Sequence, residues 1–319
     1  MITASASIPV TRVQPSPGLR RFAWGVLAYN VAVIVWGSAV RATGSGAGCG
    51  DHWPLCNGTL VQHHPAVTTM IEFAHRATSG IDLICVLLLV FWTYARLPRR
   101  HLARSFAIAV LVLTLNEALL GALLVLLGHT AQDTSPSRAV YLGLHLTNTL
   151  LLLAALALTA HFLSRYSGTM RSEVTLRAPA LALTGLGATL IVGVTGSLAA
   201  LGDTLYPAHS LLAGIAQDFS SGSSWLVRVR WIHPAISFAA GVFICWLVVN
   251  AWRQRSAVAE RPLALAVVLL LGFQFLLGAA DVALLAPTWM QMTHLLGADL
   301  LWIALVVLSA RLCLVAKGG

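Results

Sequence analysis

Residues 71–94 read IEFAHRATSGIDLICVLLLVFWTY, a largely apolar segment whose few charged residues and single histidine lie in its first half. A helix of about 20 apolar residues is long enough to cross the hydrocarbon core of a bilayer. Because backbone N–H and C=O groups in lipid must be paired within their own segment, such a run is expected to be helical. Seven further runs of the same kind are centred on residues 24–41, 105–128, 139–163, 179–201, 231–252, 263–285 and 293–314. The sequence therefore predicts an all-α membrane protein with eight transmembrane helices.

The overall composition agrees with a chain that is surrounded by lipid. Of its 319 residues, 58% are hydrophobic and only 10% are charged, which is too few charges to cover a soluble domain of this size. The formal net charge of +9 does not indicate nucleic-acid binding, because the basic residues lie in short loops between apolar runs. The expected partner of the chain is the lipid bilayer, and nucleic acid is not expected to bind.

The distribution of Arg and Lys predicts the orientation of the chain. Fifteen of the twenty Lys and Arg residues fall at one end of the predicted helices or in the terminal segments, and an excess of positive charge marks the cytoplasmic side. Both termini are therefore expected in the cytoplasm, with the protein in a bacterial plasma membrane. The basic residues on the outer side are Arg41, Arg76, Arg138, Arg228 and Arg230.

Two similar sets of four helices follow one another in the sequence. The second helix begins EFAHRATSG and the sixth RWIHPAISF; the third contains NEALLGALLVL and the seventh FQFLLGAADVALL; the fourth begins YLGLHLTNTLLL and the eighth MQMTHLLGADLLW. We interpret this as an internal repeat forming two four-helix bundles, related by a pseudo-twofold axis along the membrane normal. The predicted divisions are a cytoplasmic N-terminal segment at 1–22, bundles at 23–163 and 179–315, and a cytoplasmic linker at 164–178.

Four histidines occupy corresponding places in these two sets. His75, His145, His233 and His294 each lie a few residues into an even-numbered helix, so all four are expected at one depth near the outer face. An imidazole within a span is costly unless it faces the bundle interior and finds a partner. Pairing within each bundle gives two facing imidazoles, which suit the axial positions of a heme iron. Zinc is not favoured, because it usually takes four ligands and few thiolates or carboxylates accompany these histidines. Copper bound by imidazoles alone is an alternative.

The two predicted heme sites differ in charge. Glu72 precedes His75 by three residues, so both side chains project from one helix face, and Arg230 stands at the same offset before the histidine of the sixth helix. A carboxylate at the apolar boundary is a candidate general base. The alternative is a salt bridge to Arg76 or Arg41. The asymmetry indicates that the first bundle changes its heme while the second holds a permanent one.

Other polar residues in or beside the spans are candidates for supporting roles. Heme propionates need cationic partners, and an Arg side chain suits a carboxylate. The possible propionate contacts are Arg41, Arg76 and Arg230, although snorkelling of these side chains to the interface is an alternative. Asp82 and Asp281 lie deeper in their helices and are functional candidates because of that depth, with a buried hydrogen bond as the alternative for Asp82.

Two of the five cysteines lie together in the first outer loop, in the sequence GCGDHWPLC. The outer side of a bacterial membrane is oxidising, so Cys49 and Cys56 are predicted to form a disulfide that closes a short loop. Two free thiols are the alternative. The other three cysteines lie inside apolar runs, where small buried hydrophobic side chains are expected.

Taken together, these motifs resemble the bacterial heme A synthase family over roughly residues 24–314. The resemblance rests on EFAHR with Glu72 and His75, the CGDHWPLC loop, the later single histidines and the duplicated bundles. It implies oxidation of the C8 methyl of heme O to a formyl group by two hydroxylations and loss of water, which yields heme A for terminal oxidases. It also implies an iron-containing, low-spin heme b in the second bundle and heme O or heme A in the first.

The resemblance also implies roles for individual residues. His75 and His145 match the pair at the substrate heme, and His233 and His294 match the heme b ligands. Glu72 matches the catalytic carboxylate. The outer-loop pair Cys49 and Cys56 matches a pair found in one subgroup, whereas a second pair expected in some relatives is missing from the third outer loop, roughly 202–229.

Three other functions are compatible with parts of the pattern. A di-heme b-type electron-transfer protein usually places one heme near each membrane face, whereas these four histidines are expected on one side. For a heme carrier that does no chemistry, Glu72 is the only residue in the sequence that argues against this function. A transporter would place its polar residues near the midplane. Heme O synthase (protoheme farnesyltransferase) is a possible partner, and the chain is a possible homo-oligomer. The sequence does not identify the electron acceptor.

Overall fold

The computed structural model describes residues 15–59, 63–165, 174–176, 179–253 and 259–316. Within these ranges the chain is almost entirely helical. The helices are α1 (Pro17–Ala42), α2 (Val67–Arg96), α3 (Leu102–Leu126), α4 (Pro136–Arg165), α5 (Pro179–Leu205), α6 (Leu211–Phe219), α7 (Trp225–Arg228), α8 (Ile232–Arg253), α9 (Arg261–Ala283) and α10 (Thr288–Cys313), with a 3₁₀ turn at Ser45–Ala47. Strands β1 (Val174–Leu176) and β2 (Leu314–Ala316) pair antiparallel. Most of the predicted linker at 164–178, and residues 1–14 of the N-terminal segment, lie outside the described residues.

The eight predicted transmembrane helices are confirmed. Helices α1 to α5, α9 and α10 are each long and apolar enough to cross a membrane, as is the segment Trp225–Arg253 that contains α7 and α8. The protein is therefore a multi-pass membrane protein. The structure also adds α6 and α7 to the third outer loop, which hydropathy alone treats as irregular. Helix α6 is too short to be recognised as a span.

The helix contacts follow the two sets seen in the sequence. Helices α1 to α4 form a closed cycle of neighbours, and α5, α8, α9 and α10 form a second one. In each set every helix contacts two others of the same set, which is the arrangement of a four-helix bundle. The pseudo-twofold axis that would relate them stays a prediction.

Helix α4 lies at the centre of the molecule. In its most apolar stretch 72% of the residues are buried, against 22% in α2 and α3. It contacts α1 and α3 in its own set and α5 and α10 in the other. One cluster of buried residues accordingly joins the first four helices to Trp302, Val306 and Val307 of α10. The two sets therefore share a hydrophobic core.

Trp302 makes a polar contact across this shared core. Its Nε1 donates to the backbone oxygen of Leu150 at 2.6 Å, and its side chain is buried. We expect Trp302→Phe to lower the free energy of unfolding by about 1–3 kcal/mol, because it removes the donor and leaves a small void. Thermal unfolding in detergent measures this loss. Trp246→Phe, at a lipid-exposed position, is the control, and an equal loss in both variants would contradict the expectation.

Candidate functional site

The candidate site contains the four predicted histidines, each near the N-terminal end of its helix. His75 lies in α2, His145 in α4, His233 in α8 and His294 in α10. Successive spans run in opposite directions, so these four helices run in the same direction. All four imidazoles consequently lie toward the same end of the molecule, as the sequence predicts.

His233 and His294 face each other closely. Their ring centroids are 6.4 Å apart and the ring planes are inclined by 84°. Two imidazole nitrogens that hold one iron from opposite sides, each at about 2 Å, place their ring centroids about 6 Å apart. The observed separation therefore fits axial coordination of one heme iron by this pair.

His75 and His145 occupy the corresponding places in the first set of helices, on α2 and α4. The Nδ1 atoms of His75, His145 and His294 are buried and have no hydrogen-bond partner among the described residues. The Nδ1 atom of His233 lies 3.3 Å from the Thr195 hydroxyl. Buried polar atoms are normally paired, so these imidazoles fit a role in which a bound group fixes their orientation. Within the same described ranges, no group of three or more His, Cys, Asp or Glu side chains is arranged to hold a metal ion.

Each imidazole ring lies beside a glycine of a neighbouring helix. The pairs are Gly37 with His75, Gly121 with His145, Gly196 with His233, and Gly278 with His294. A Cβ atom at Gly37 or Gly196 would lie 2.9 Å from the Cε1 atom of the facing histidine, which is closer than real contacts allow. The missing side chain thus lets the ring pack directly against the helix backbone.

Glu72 connects the loop that contains Cys49 to α2. Its carboxylate is buried; Oε2 accepts from the backbone N–H of Cys49 at 2.8 Å, and Oε1 accepts from Arg76 Nη2 at 2.6 Å. The salt bridge to Arg76, which the sequence leaves as the alternative for Glu72, is therefore present. The predicted disulfide between Cys49 and Cys56 is also present. The carboxylate lies on the helix that carries His75 and holds the disulfide loop in place.

The arginines predicted as possible propionate contacts already have protein partners. Arg41 donates to the Ala200 backbone oxygen and the Thr204 hydroxyl of α5, and to the Gln291 side chain of α10, at 2.8–2.9 Å. It thereby joins the two sets of helices. Arg230 donates to Asp203 of α5 and pairs with the α6 residue Asp218, at 2.8 and 2.7 Å. All of these partners are oxygen acceptors, and those of Arg230 include two carboxylates, the group that a propionate would offer; the propionate role stays a prediction.

The two deeper aspartates have different surroundings. Asp82 accepts a 2.6 Å hydrogen bond from the Asn30 side chain, and both residues are buried. A buried hydrogen bond of this kind is the alternative role given above for Asp82. The Oδ1 atom of Asp281 is buried and has no partner among the described residues.

A carboxylate that the sequence analysis did not select lies beside His145. Glu117 of α3 has its Oε1 atom 3.3 Å from His145 Nδ1. Its segment, NEALLGALLVL, was considered only because it resembles part of the seventh predicted helix. The signal was available, because an acidic side chain within a span is a functional candidate by default. The histidine-facing glycines had no comparable signal, since a glycine in a helix can serve many kinds of close packing.

The model of one protein family matches most of the chain. It is described as the cytochrome oxidase assembly protein family COX15-CtaA, and it covers residues 20–306. The chain belongs to the COX15-CtaA family. The four histidines, Glu72, Glu117 and both loop cysteines lie within the range that this COX15-CtaA model matches.

Several curated proteins are similar to this COX15-CtaA chain. A protein of Thermus thermophilus named protoheme IX farnesyltransferase is 43% identical over 291 residues, or 91% of this chain and 48% of that protein. The heme A synthase of Bacillus licheniformis is 29% identical over 235 residues, or 70% of this chain and 72% of the relative. The heme A synthase of an Exiguobacterium species is 39% identical over 90 residues, 28% of this chain and 30% of the relative. The chain spans about half the length of the Thermus protein that it matches.

Proposed function

We propose that this protein is a heme A synthase of the bacterial plasma membrane, an oxidoreductase that converts the C8 methyl of heme O to a formyl group. The observation that carries the proposal is the facing pair His233 and His294, whose 6.4 Å ring separation fits a heme iron. Similarity to proteins named heme A synthase supports the choice of reaction. The positive charge at one end of the spans supports cytoplasmic termini and heme sites near the outer face.

The two bundles take different parts in this proposal. The bundle at 179–315 holds a permanent heme b between His233 and His294. The bundle at 23–163 receives heme O, and releases heme A, between His75 and His145. When bound, heme supplies iron-centred redox chemistry at the first site. Conversion of a methyl to a formyl group removes four electrons and four protons and adds one oxygen atom, which corresponds to R–CH3 + H2O → R–CHO + 4 H+ + 4 e−. The reaction therefore requires an electron acceptor and a source of the oxygen atom.

In the first bundle, the residues of the chain bind and orient the substrate heme and hold the adjoining loop in place. His75 and His145 orient the substrate heme through their rings, which the neighbouring glycines hold close to the helix backbones. Glu72 supplies a buried negative charge on the helix of His75 and holds the disulfide loop against that helix. As a candidate general base, it would first have to exchange its bond to Arg76 for one to the substrate.

Heme O is poorly soluble in water, so its supply matters to the proposal. The Thermus relative is named protoheme IX farnesyltransferase, and this chain matches about half of it. That similarity supports a heme O synthase (protoheme farnesyltransferase) as the partner that delivers the substrate. Transfer within the bilayer would keep the apolar tail of heme O out of water.

A second candidate function is a di-heme electron-transfer protein or a heme carrier without chemistry. The observation in its favour is that both oxygens of Glu72 are already hydrogen-bonded by Arg76 and Cys49. A carboxylate held in this way can serve the loop alone. In that case the first bundle would bind its heme without changing it.

Heme extraction from the purified protein, expressed with a supply of heme O, separates these functions. Reverse-phase chromatography of the wild type should show heme A together with heme b. His75→Ala should lose heme A and keep heme b, whereas His233→Ala should lose heme b, because each removes one axial ligand of a different site. A wild type that contains unchanged heme b and heme O, without heme A, would support the second candidate.

A further inference from the structure

Glu117 is positioned to interact with His145 in the first bundle. Its Oε1 atom lies 3.3 Å from His145 Nδ1, a ring nitrogen that is buried and has no hydrogen-bond partner among the described residues. A small rotation of the ring would bring the Nδ1–H group onto the carboxylate. The opposite ring nitrogen, Nε2, is then the one with a free electron pair.

The Glu117 carboxylate is held firmly by its neighbours. Asn148 Nδ2 donates to Oε2 at 2.5 Å, and the Thr149 hydroxyl donates to Oε1. Asn148 is fixed in turn, since its Oδ1 accepts from Asn116 Nδ2 at 2.8 Å. The Thr149 hydroxyl also lies 2.9 Å from the His145 backbone oxygen, and with a single proton it donates to one of these two acceptors at a time. These contacts hold the Glu117 carboxyl group beside the imidazole.

The corresponding place in the second bundle carries no charge. Gln274 stands four residues before Gly278, as Glu117 stands four residues before Gly121. Its amide Nε2 donates to the backbone oxygen of His294 at 2.7 Å, so it supports the helix rather than the ring. The two bundles therefore differ at this place: a carboxylate lies beside the ring of His145, whereas a neutral amide bonds to the backbone of His294.

We infer that Glu117 is a positioning residue for His145: its carboxylate accepts the Nδ1–H, presents Nε2 to the heme iron and makes the first site richer in electrons than the second. The inference rests on the proposed function only in requiring that the first bundle binds heme. Carboxylates that bond a metal-ligating histidine orient the ring and raise its basicity. Hydrogen bonds of this kind are among the means by which a protein sets the reduction potential of a heme. The carboxylate favours the ferric state, so the first site has the lower potential.

The test uses iron protoporphyrin IX and two single-site backgrounds. His294→Ala isolates the first site and His145→Ala isolates the second. In the first background, Glu117→Gln should weaken heme binding about 10- to 100-fold and raise the reduction potential, because the amide keeps the shape of the side chain and loses its charge. In the second background, the matched variant Gln274→Glu should lower the potential. Spectroscopic titration, potentiometry and the low-spin ferric paramagnetic resonance spectrum provide the readouts.

Unchanged affinity and potential in Glu117→Gln would overturn the inference. Gln274 bonds to the His294 backbone oxygen and not to its ring, so Gln274→Glu tests only the effect of the charge; an unchanged potential there contradicts the proposed charge effect even where Glu117→Gln fails to fold. Neither measurement depends on product formation. If the potentials shift as expected while the wild type makes no heme A, the proposed synthase function fails and the role of Glu117 stands. If heme A forms and neither potential shifts, only the role of Glu117 fails.

Discussion

Gly196→Ala should remove most of the heme bound by the second bundle while the protein remains folded. The added Cβ would lie 2.9 Å from His233 Cε1 and 3.2 Å from Nδ1, so the imidazole has to move away from α5. Overpacking of this kind costs about 1–3 kcal/mol, which corresponds to roughly a 5- to 150-fold loss of affinity. Titration of the purified protein with iron protoporphyrin IX measures the loss. Gly37→Ala should have the same effect on the first bundle through His75.

The chain offers a matched control on each of these helices. A Cβ at Gly187 of α5 or at Gly25 of α1 would have nothing within 4 Å. Gly187→Ala and Gly25→Ala should therefore leave heme binding unchanged and stabilise the helices slightly, since alanine has the higher helix propensity. Equal heme binding by Gly196→Ala and Gly187→Ala would show that the close approach of α5 to His233 does not position the ring.

Glu72→Ala should abolish heme A formation and also release the outer loop. The side chains of Glu72 and Arg76 are 4% and 13% exposed, and removal of one partner from a buried ion pair costs about 3–5 kcal/mol. The backbone N–H of Cys49 loses its acceptor in the same step. We therefore expect faster reduction of the Cys49–Cys56 disulfide by external thiols, measured by alkylation and mass spectrometry, besides the loss of heme A from the extracted pigments.

Glu72→Gln separates the two roles of this carboxylate. Its amide oxygen can still accept from Cys49, so the loop should stay in place, whereas its charge and its capacity as a base are lost. Loss of heme A together with a slowly reduced disulfide would assign the carboxylate to the chemistry. Retention of heme A would assign Glu72 to the loop alone and favour an electron-transfer or carrier function for the first bundle.

The helical spans and the places of the four histidines within them were predictable because their signals are local. A run such as 71–94 is apolar over its own length, and an imidazole such as His75 within that run is costly wherever its helix packs. Cys49 and Cys56 lie only seven positions apart in one loop, so their disulfide also depends on a short stretch of sequence. These features do not require knowledge of which helices become neighbours.

The partners of the charged side chains were not predictable in the same way. Arg41 bonds to residues 159 to 250 positions away in the chain, and no pattern within α1 indicates them. The contact between Glu117 and His145 was likewise not predictable, because it depends on how α3 faces α4. Helix α6 was missed because a helix of nine residues lacks the length and hydropathy of a span.

The position of α4 has a consequence for how the two sites respond to heme. His145 lies on a helix whose sides pack against both sets of helices, so the sets cannot unfold independently without exposing that shared core. A ligand that binds only the folded state stabilises everything that unfolds with it. If the second bundle holds heme as proposed, that heme should also raise the thermal stability of the first bundle. A heme bound by one bundle would in this way support the structure of the other, and we expect a single cooperative melting transition for the whole chain.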